Sequence, residues 1–167
     1  MATPTPPPGR TLSMFGVGPW FVALSVLYSA LGITARICLP QLFTITLVPR
    51  AWLQGAGIVL ILTGLCLFVA SLRVLAKGFP QGILFTRGPY AACRHPLYSS
   101  WVVFLVPGLG LMVQSWPVLC VTLAMYVTLK VLVRKEEDEM LRLFGQEYQD
   151  YRDRTPAVFP LLHRCFT

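Results

Sequence analysis

Acidic side chains are scarce, and over most of the chain they are missing. Of 167 residues only seven are Asp or Glu, and none precedes Glu136. Charged residues of both signs make up 13% of the sequence, about half the roughly 25% of a water-soluble domain. With 55% of the chain hydrophobic, a soluble globular enzyme is excluded. Histidine is confined to His95 and His163, and the five cysteines form no CxxC pair. A metal site built from His and Cys is therefore not expected, and Cys38, Cys66, Cys93, Cys120 and Cys165 read as reduced packing residues. No nucleic-acid partner is expected either.

What is present is long uncharged stretches. Residues 1–18 open with Thr3-Pro4-Thr5-Pro6-Pro7-Pro8-Gly9, which cannot start a helix because proline lacks the donor and restricts its predecessor. This predicts a disordered tail. No charge falls between Arg10 and Arg36, and Pro19 to Ala35 forms a first candidate span. A secretory signal peptide is the competing reading, although its apolar core would be shorter. Ala51 to Leu72 is a second span, closed by Arg73 and Lys77. From Pro96 to Leu129 no charge occurs, a length that suits a tight helical hairpin of two crossings better than a single one. Its turn is placed at Gln114-Ser115-Trp116-Pro117, because Pro117 suits a first helical turn and Trp116 a membrane interface.

The expected architecture is an all-α polytopic membrane bundle over residues 19–133 with about four transmembrane helices. A polar loop, 78–96, joins the second and third spans. Residues 134–167 form an amphipathic helix and tail. In that arrangement twelve basic residues share the side of both termini and the loop, against Arg36 and Arg50 on the other. The excess places both termini and the loop in the cytoplasm.

Within Arg134 to Tyr151, the side chains Glu137, Leu141, Phe144, Tyr148 and Tyr151 fall within roughly ±40° of one line at 100° per residue. Glu137 thus heads an apolar stripe, and a carboxylate there needs a partner. Glu136, Asp138 and Glu139 are expected to diverge from that line. Arg94, His95 and Tyr98, on the same membrane side, can supply the partner. Each also has a plainer reading: acids that complement a helix dipole, a His95 that caps the next helix, and an Arg94 that anchors at the interface.

The loop Gly88-Pro89-Tyr90 and Arg94-His95-Pro96-Leu97-Tyr98 resembles a signature of the isoprenylcysteine carboxyl methyltransferase and phospholipid methyltransferase superfamily. Glu136-Glu137 and Phe144-Gly145-Gln146-Glu147-Tyr148-Gln149-Asp150-Tyr151, running into Arg154-Thr155-Pro156, resemble its second element. The resemblance covers roughly residues 75–160. It implies an integral membrane methyltransferase that binds S-adenosylmethionine at the cytoplasmic edge, between the loop and the tail helix. The cofactor-binding residues it implies are Gly88, Tyr90, Arg94, His95, Pro96, Tyr98, Glu136, Glu137 and Tyr148, with Glu137 and Arg154 in catalytic roles and no metal. Membrane lipids and a lipophilic or prenylated acceptor are the implied partners. N-methylation of a phospholipid or methylation of a small hydrophobic molecule fits as well. Two readings from other classes stand beside these: an NADPH-dependent membrane reductase, and a non-enzymatic four-span protein such as a transporter.

Overall fold

The computed structural model describes residues 18–78 and 83–160. The expected Pro-rich tail, most of the Gly78–Gly82 break, and His163, Arg164 and Cys165 lie outside them. Among the described residues the chain is helical, with one isolated bridge between Thr44 and Ser115.

Three helices are long and apolar enough to cross a membrane: α1 (Gly18–Cys38), α3 (Arg50–Gly78) and α7 (Trp116–Phe144). A fourth apolar stretch, Pro96–Met112, is shorter. It consists of α5 (Pro96–Ser99), a π-helical segment Ser100–Leu105 and α6 (Val106–Met112). Between the long helices lie the one-turn α2 (Pro40–Phe43) and α4 (Pro89–Ala92), and α8 (Gln146–Arg154) follows α7. Leu, Val and Trp side chains such as Val26, Val59, Leu123 and Val131 stand exposed around this bundle. Such outward faces suit a hydrocarbon solvent, and the protein is an integral membrane protein.

The helices pack in a row. α1 lies against α7, α7 against α6, and α6 with the π segment against α3. Val118, Val121, Met125, Leu129 and Val133 of α7 recur at helical spacing and form the centre, joined by Phe21, Val102, Val106 and Val158. Burial of apolar area drives little association between helices in lipid, so close backbone approach must hold the row together. Gly57 and Gly108 provide it: a Cβ on Gly108 would stand 2.9 Å from the Gly57 carbonyl and 2.8 Å from Ile61.

The π segment explains how one short arm passes Pro107. The Val106 N–H bonds to the Trp101 carbonyl, five residues back, and the next residue, Pro107, has no N–H to continue the ladder. The arm ends as expected. Gln114 takes a left-handed φ of 52°, and Ser115 caps α7 by accepting from the Val118 N–H. The Trp116 indole donates to the Leu42 carbonyl at 3.0 Å, tying the hairpin to the α1–α3 connection. At the opposite end Phe21 packs edge-on against Tyr98, with ring centroids 5.2 Å apart. The described chain ends and the central loop therefore share one side.

The tail differs from its expected form. Instead of one helix from Arg134 to Tyr151, α7 carries straight on to Phe144 and α8 begins at Gln146. Gly145, with φ of 55°, breaks the run, so the line from Glu137 through Tyr151 bends. A glycine inside a periodic stretch can be a helix interior or a stop, and here it stops the helix.

Substituting Gly108 by Val should force α3 and α6 apart and cost about 1–3 kcal/mol. Gly55→Ala serves as the control, because nothing lies within 4 Å of a Cβ there. Thermal unfolding in detergent checks this; equal melting temperatures for the two variants would contradict the packing account.

Candidate functional site

The extension of α7 carries its polar residues clear of the span. At 1.5 Å per residue, Glu137 stands about 31 Å along the axis from Trp116, close to the thickness of a hydrocarbon core of about 30 Å. Facing it is the start of the third crossing. Pro96 begins α5, so His95 sits at its N-cap with φ −122° and ψ 62°, outside the α region that a following proline disfavours. One turn inside, Tyr98 projects to the same place.

Arg94 Nη2 pairs with Glu137 Oε1 at 2.8 Å, and His95 Nε2 lies 3.3 Å from the same oxygen. Tyr98 donates its hydroxyl proton to Glu136 Oε1 at 3.0 Å, and His95 Nδ1 is 3.8 Å from Glu136 Oε2. The imidazole thus lies between two carboxylates and stacks on Tyr98. Arg94 and Glu137 side chains are only 10% and 15% exposed, so this pair is shielded far more than a surface ion pair. Glu136 does not diverge from Glu137 as the helical wheel suggested; both face the loop, where His95 lies between them and Tyr98 reaches Glu136.

The loop is held from behind by the tail. Arg94 and His95 donate their backbone N–H groups to the Pro156 and Ala157 carbonyls at 2.9 and 3.1 Å. The Tyr151 hydroxyl donates to the Tyr90 carbonyl at 2.6 Å, and Arg94 Nη1 to the Arg152 carbonyl at 3.3 Å. Gly88 caps α4 with φ of 61°, a left-handed conformation that favours glycine. Burial, with lesser help from Cys93 and Glu136, pushes the Tyr90 hydroxyl up to about 12. Burial likewise, followed by Glu137, raises Tyr148 to about 12. Both phenols are neutral donors at any physiological pH.

Gly88, Tyr90, Arg94, His95, Pro96, Tyr98, Glu136, Glu137 and Tyr148 are therefore gathered at one end of the bundle. Arg154 stands apart in character: it is exposed on α8, and its Nε donates to the Asp150 carbonyl one turn back. Tyr151, Arg152, Pro156 and Ala157 were not among the expected site residues. Tyr151 was legible as part of the tail motif, whereas three of these contacts use backbone carbonyls, which no residue type announces. The groove along Lys135, Asp138, Glu139, Arg142 and Leu143 runs on another flank of α7 and includes none of these side chains. Two buried polar atoms of the site are unused: Arg94 Nε and the Tyr148 hydroxyl have no hydrogen-bond partner.

Fold and site together define an α-helical multispan membrane protein with a shielded, mixed-charge cluster at one membrane boundary. The model of the isoprenylcysteine carboxyl methyltransferase (ICMT) family matches residues 70–142, which include the loop and both glutamates. A protein-S-isoprenylcysteine O-methyltransferase of Rattus norvegicus is 29% identical over 151 residues, covering 84% of this chain and 52% of that protein. The nickel-cobalt-cadmium resistance protein NccN of Alcaligenes xylosoxydans xylosoxydans is 40% identical over 79 residues, 47% of this chain and 37% of its own length. Among solved structures, the eukaryotic intramembrane Ras methyltransferase ICMT superposes with a TM-score of 0.58 at 20% identity, covering 86% of this chain and 53% of that one. These matches show a likeness to the isoprenylcysteine carboxyl methyltransferase family, carried by residues 70–142. It spans about half the length of the curated methyltransferases it matches.

Glu137→Gln should destabilise the ligand-free protein by on the order of 3 kcal/mol, because it leaves the Arg94 guanidinium shielded and unpaired. Glu139→Gln, at an exposed position, should change stability by less than about 0.5 kcal/mol. Thermal unfolding in detergent without ligand compares them, and equal losses would contradict the geometry of the pair.

Proposed function

We propose that this chain is a membrane methyltransferase that uses S-adenosylmethionine to methylate a lipophilic acceptor at the cytoplasmic face, with both termini on that side. The observation that carries this is the juxtaposition of Arg94, His95 and Tyr98 with Glu136 and Glu137 at the end of a span. A methyl donor with a zwitterionic amino-acid end and ribose hydroxyls requires cations, donors and carboxylates within a few ångströms of one another, and that is the donor set present. The two unpartnered buried atoms, Arg94 Nε and the Tyr148 hydroxyl, give it spare capacity on the same side.

In this reading Arg94, His95 and the Tyr98 hydroxyl hold the carboxylate by charge-assisted hydrogen bonds. Glu137 or Glu136 takes the ammonium or the ribose. Tyr90 and Tyr148 offer aromatic faces to a cation or an adenine ring, while Gly88 and Pro96 shape the loop. Bound there, S-adenosylmethionine supplies an electrophilic methyl group. The protein's own work is then alignment and the exclusion of water, and the tail clamped behind the loop serves both. A carboxylate acceptor attacks without a base. An amine acceptor must be neutral, and Glu136 or Glu137 is placed to receive its proton. Arg154, exposed at the end of α8, is assigned to the acceptor side.

The names of the relatives support a division of the chain. The family model covers residues 70–142 and the metal-resistance protein matches 47% of this chain, whereas the prenylcysteine methyltransferase matches 84%. That is expected if the shared part handles the donor and the apolar helices choose the acceptor.

Calorimetry on the purified protein with S-adenosylmethionine, S-adenosylhomocysteine and NADPH in parallel tests the reading. Binding of the first two and not the third is expected; binding of NADPH alone would move the protein to a reductase. Glu137→Gln should weaken S-adenosylmethionine binding about tenfold or more, the size of one hydrogen bond to a charged group, and Glu139→Gln should leave it unchanged. Equal effects would contradict the placement of Glu137.

A further inference from the structure

Arg36 is a cation without a counter-charge in its own chain. All seven side-chain carboxylates lie between Glu136 and Asp153, on the stretch of α7 and on α8 that stand at the Arg94 end of the bundle. Arg36 stands at the other end. One turn before it on α1, a Cβ on Gly32 would stand 3.3 Å from Val121 and 3.4 Å from Val118, at the start of α7. Arg36 lies about 6 Å farther out and so level with Trp116, while Glu136 is about 30 Å away along α7. The Nε of Arg36 is buried and has no hydrogen-bond partner, and among the described residues Arg36 makes no ion pair. A basic residue suits the last turn of a helix, which Arg36 occupies in α1, but that attraction leaves the Nε proton unused. A shielded guanidinium donor is costly until an acceptor reaches it.

The surroundings are those of a lipid boundary. Residues 39–49, which join α1 to α3, carry no charge, and Leu42 and Leu47 stand exposed, Leu47 almost wholly at 95%. Water penalises leucines held out in this way; acyl chains do not. The connection is also fixed in place. Ile45 donates its N–H to the Gln114 carbonyl at 2.8 Å, and Phe43 packs on Trp116 with ring centroids 5.8 Å apart. Trp52 and Trp116, both exposed, mark the same interface. Beside Arg36, Ile33 and Ile37 present apolar surface outward. A cationic fork next to exposed aliphatic side chains matches a phosphate carried on hydrocarbon chains.

We propose that Arg36 is the seat of an acidic phospholipid from the leaflet opposite the Arg94 cluster, its phosphate accepting from Nε and its acyl chains lying on Ile33, Ile37 and the apolar connection. Net charge sets the preference. Arg36 and Arg50 are the basic residues at this end, and no carboxylate accompanies them. The ammonium of a choline headgroup therefore finds no partner and is repelled, whereas a phosphoglycerol headgroup keeps its whole charge for the guanidinium.

The test is lipid binding to the full chain, delipidated in dodecyl maltoside and followed by native mass spectrometry with phosphatidylglycerol and phosphatidylcholine of matched acyl chains. The wild type should hold a phosphatidylglycerol about tenfold more tightly than phosphatidylcholine, the size of one hydrogen bond between charged groups. Arg36→Gln should lose that tight lipid, while Arg50→Gln, at an exposed position on the same side, should keep it. Basic residues at the Arg94 end are the same in all three proteins and cancel. Thermal unfolding gives a second reading that a folding defect does not mimic. Without lipid, Arg36→Gln should melt no lower than the wild type, because it removes a cation that has no partner; with phosphatidylglycerol it should gain less than either the wild type or Arg50→Gln. An unchanged tight lipid in Arg36→Gln, equal losses in both variants, or equal affinity of the wild type for the two lipids overturns the proposal. So does a lower melting temperature of lipid-free Arg36→Gln, which would mean that the guanidinium is satisfied within the chain. Equal stabilisation of the wild type by inorganic phosphate overturns it as well, since the hydrocarbon would then play no part.

Discussion

The structure depends on a pairing between residues 43 positions apart: the shielded contact of Arg94 with Glu137. Neither charge is stable alone at a membrane boundary with so little water. Their meeting requires α7 to continue past the bilayer and requires the loop to enter the third span with its side chains turned toward α7. Everything nearby serves those two requirements. Pro96 fixes the entry, Tyr98 reaches Glu136 from one turn inside, and the tail carbonyls of Pro156 and Ala157 take the loop's backbone donors.

The bundle beneath is built on different physics. Helices surrounded by hydrocarbon gain little by hiding apolar surface from it, so contact quality decides. Gly57 against Gly108 lets two backbones touch, and the valine-rich face of α7 interlocks with Val102 and Val106. The row that results has broad lipid-facing surfaces. It also brings α1 to the site through Phe21 against Tyr98, giving the first crossing a part in shaping the polar end.

Much of this was legible in the residues because it follows from hydropathy and from strong local punctuation. The spans, the turn at Gln114 to Trp116 and the approach of Glu137 to Arg94 are of that kind. The helix break at Gly145 was not, since glycine in a periodic run is compatible with either outcome and only the backbone angle decides. The inward turn of Glu136 was hidden because a helical wheel ranks directions, whereas an imidazole reaching both carboxylates and a phenol beside it use a wide sector. The π segment is invisible to composition, and the clamp by Pro156 and Ala157 uses main-chain atoms that every residue carries.

That clamp has a consequence for biosynthesis. The acceptors for the Arg94 and His95 amides come from positions 156 and 157, which leave the ribosome more than sixty residues after the loop they secure. A nascent chain can have all its crossings inserted while this loop still lacks its backing. The loop therefore gains its backing only after Pro156 and Ala157 have been made, and a product cut short before Pro156 would carry the described crossings without that clamp.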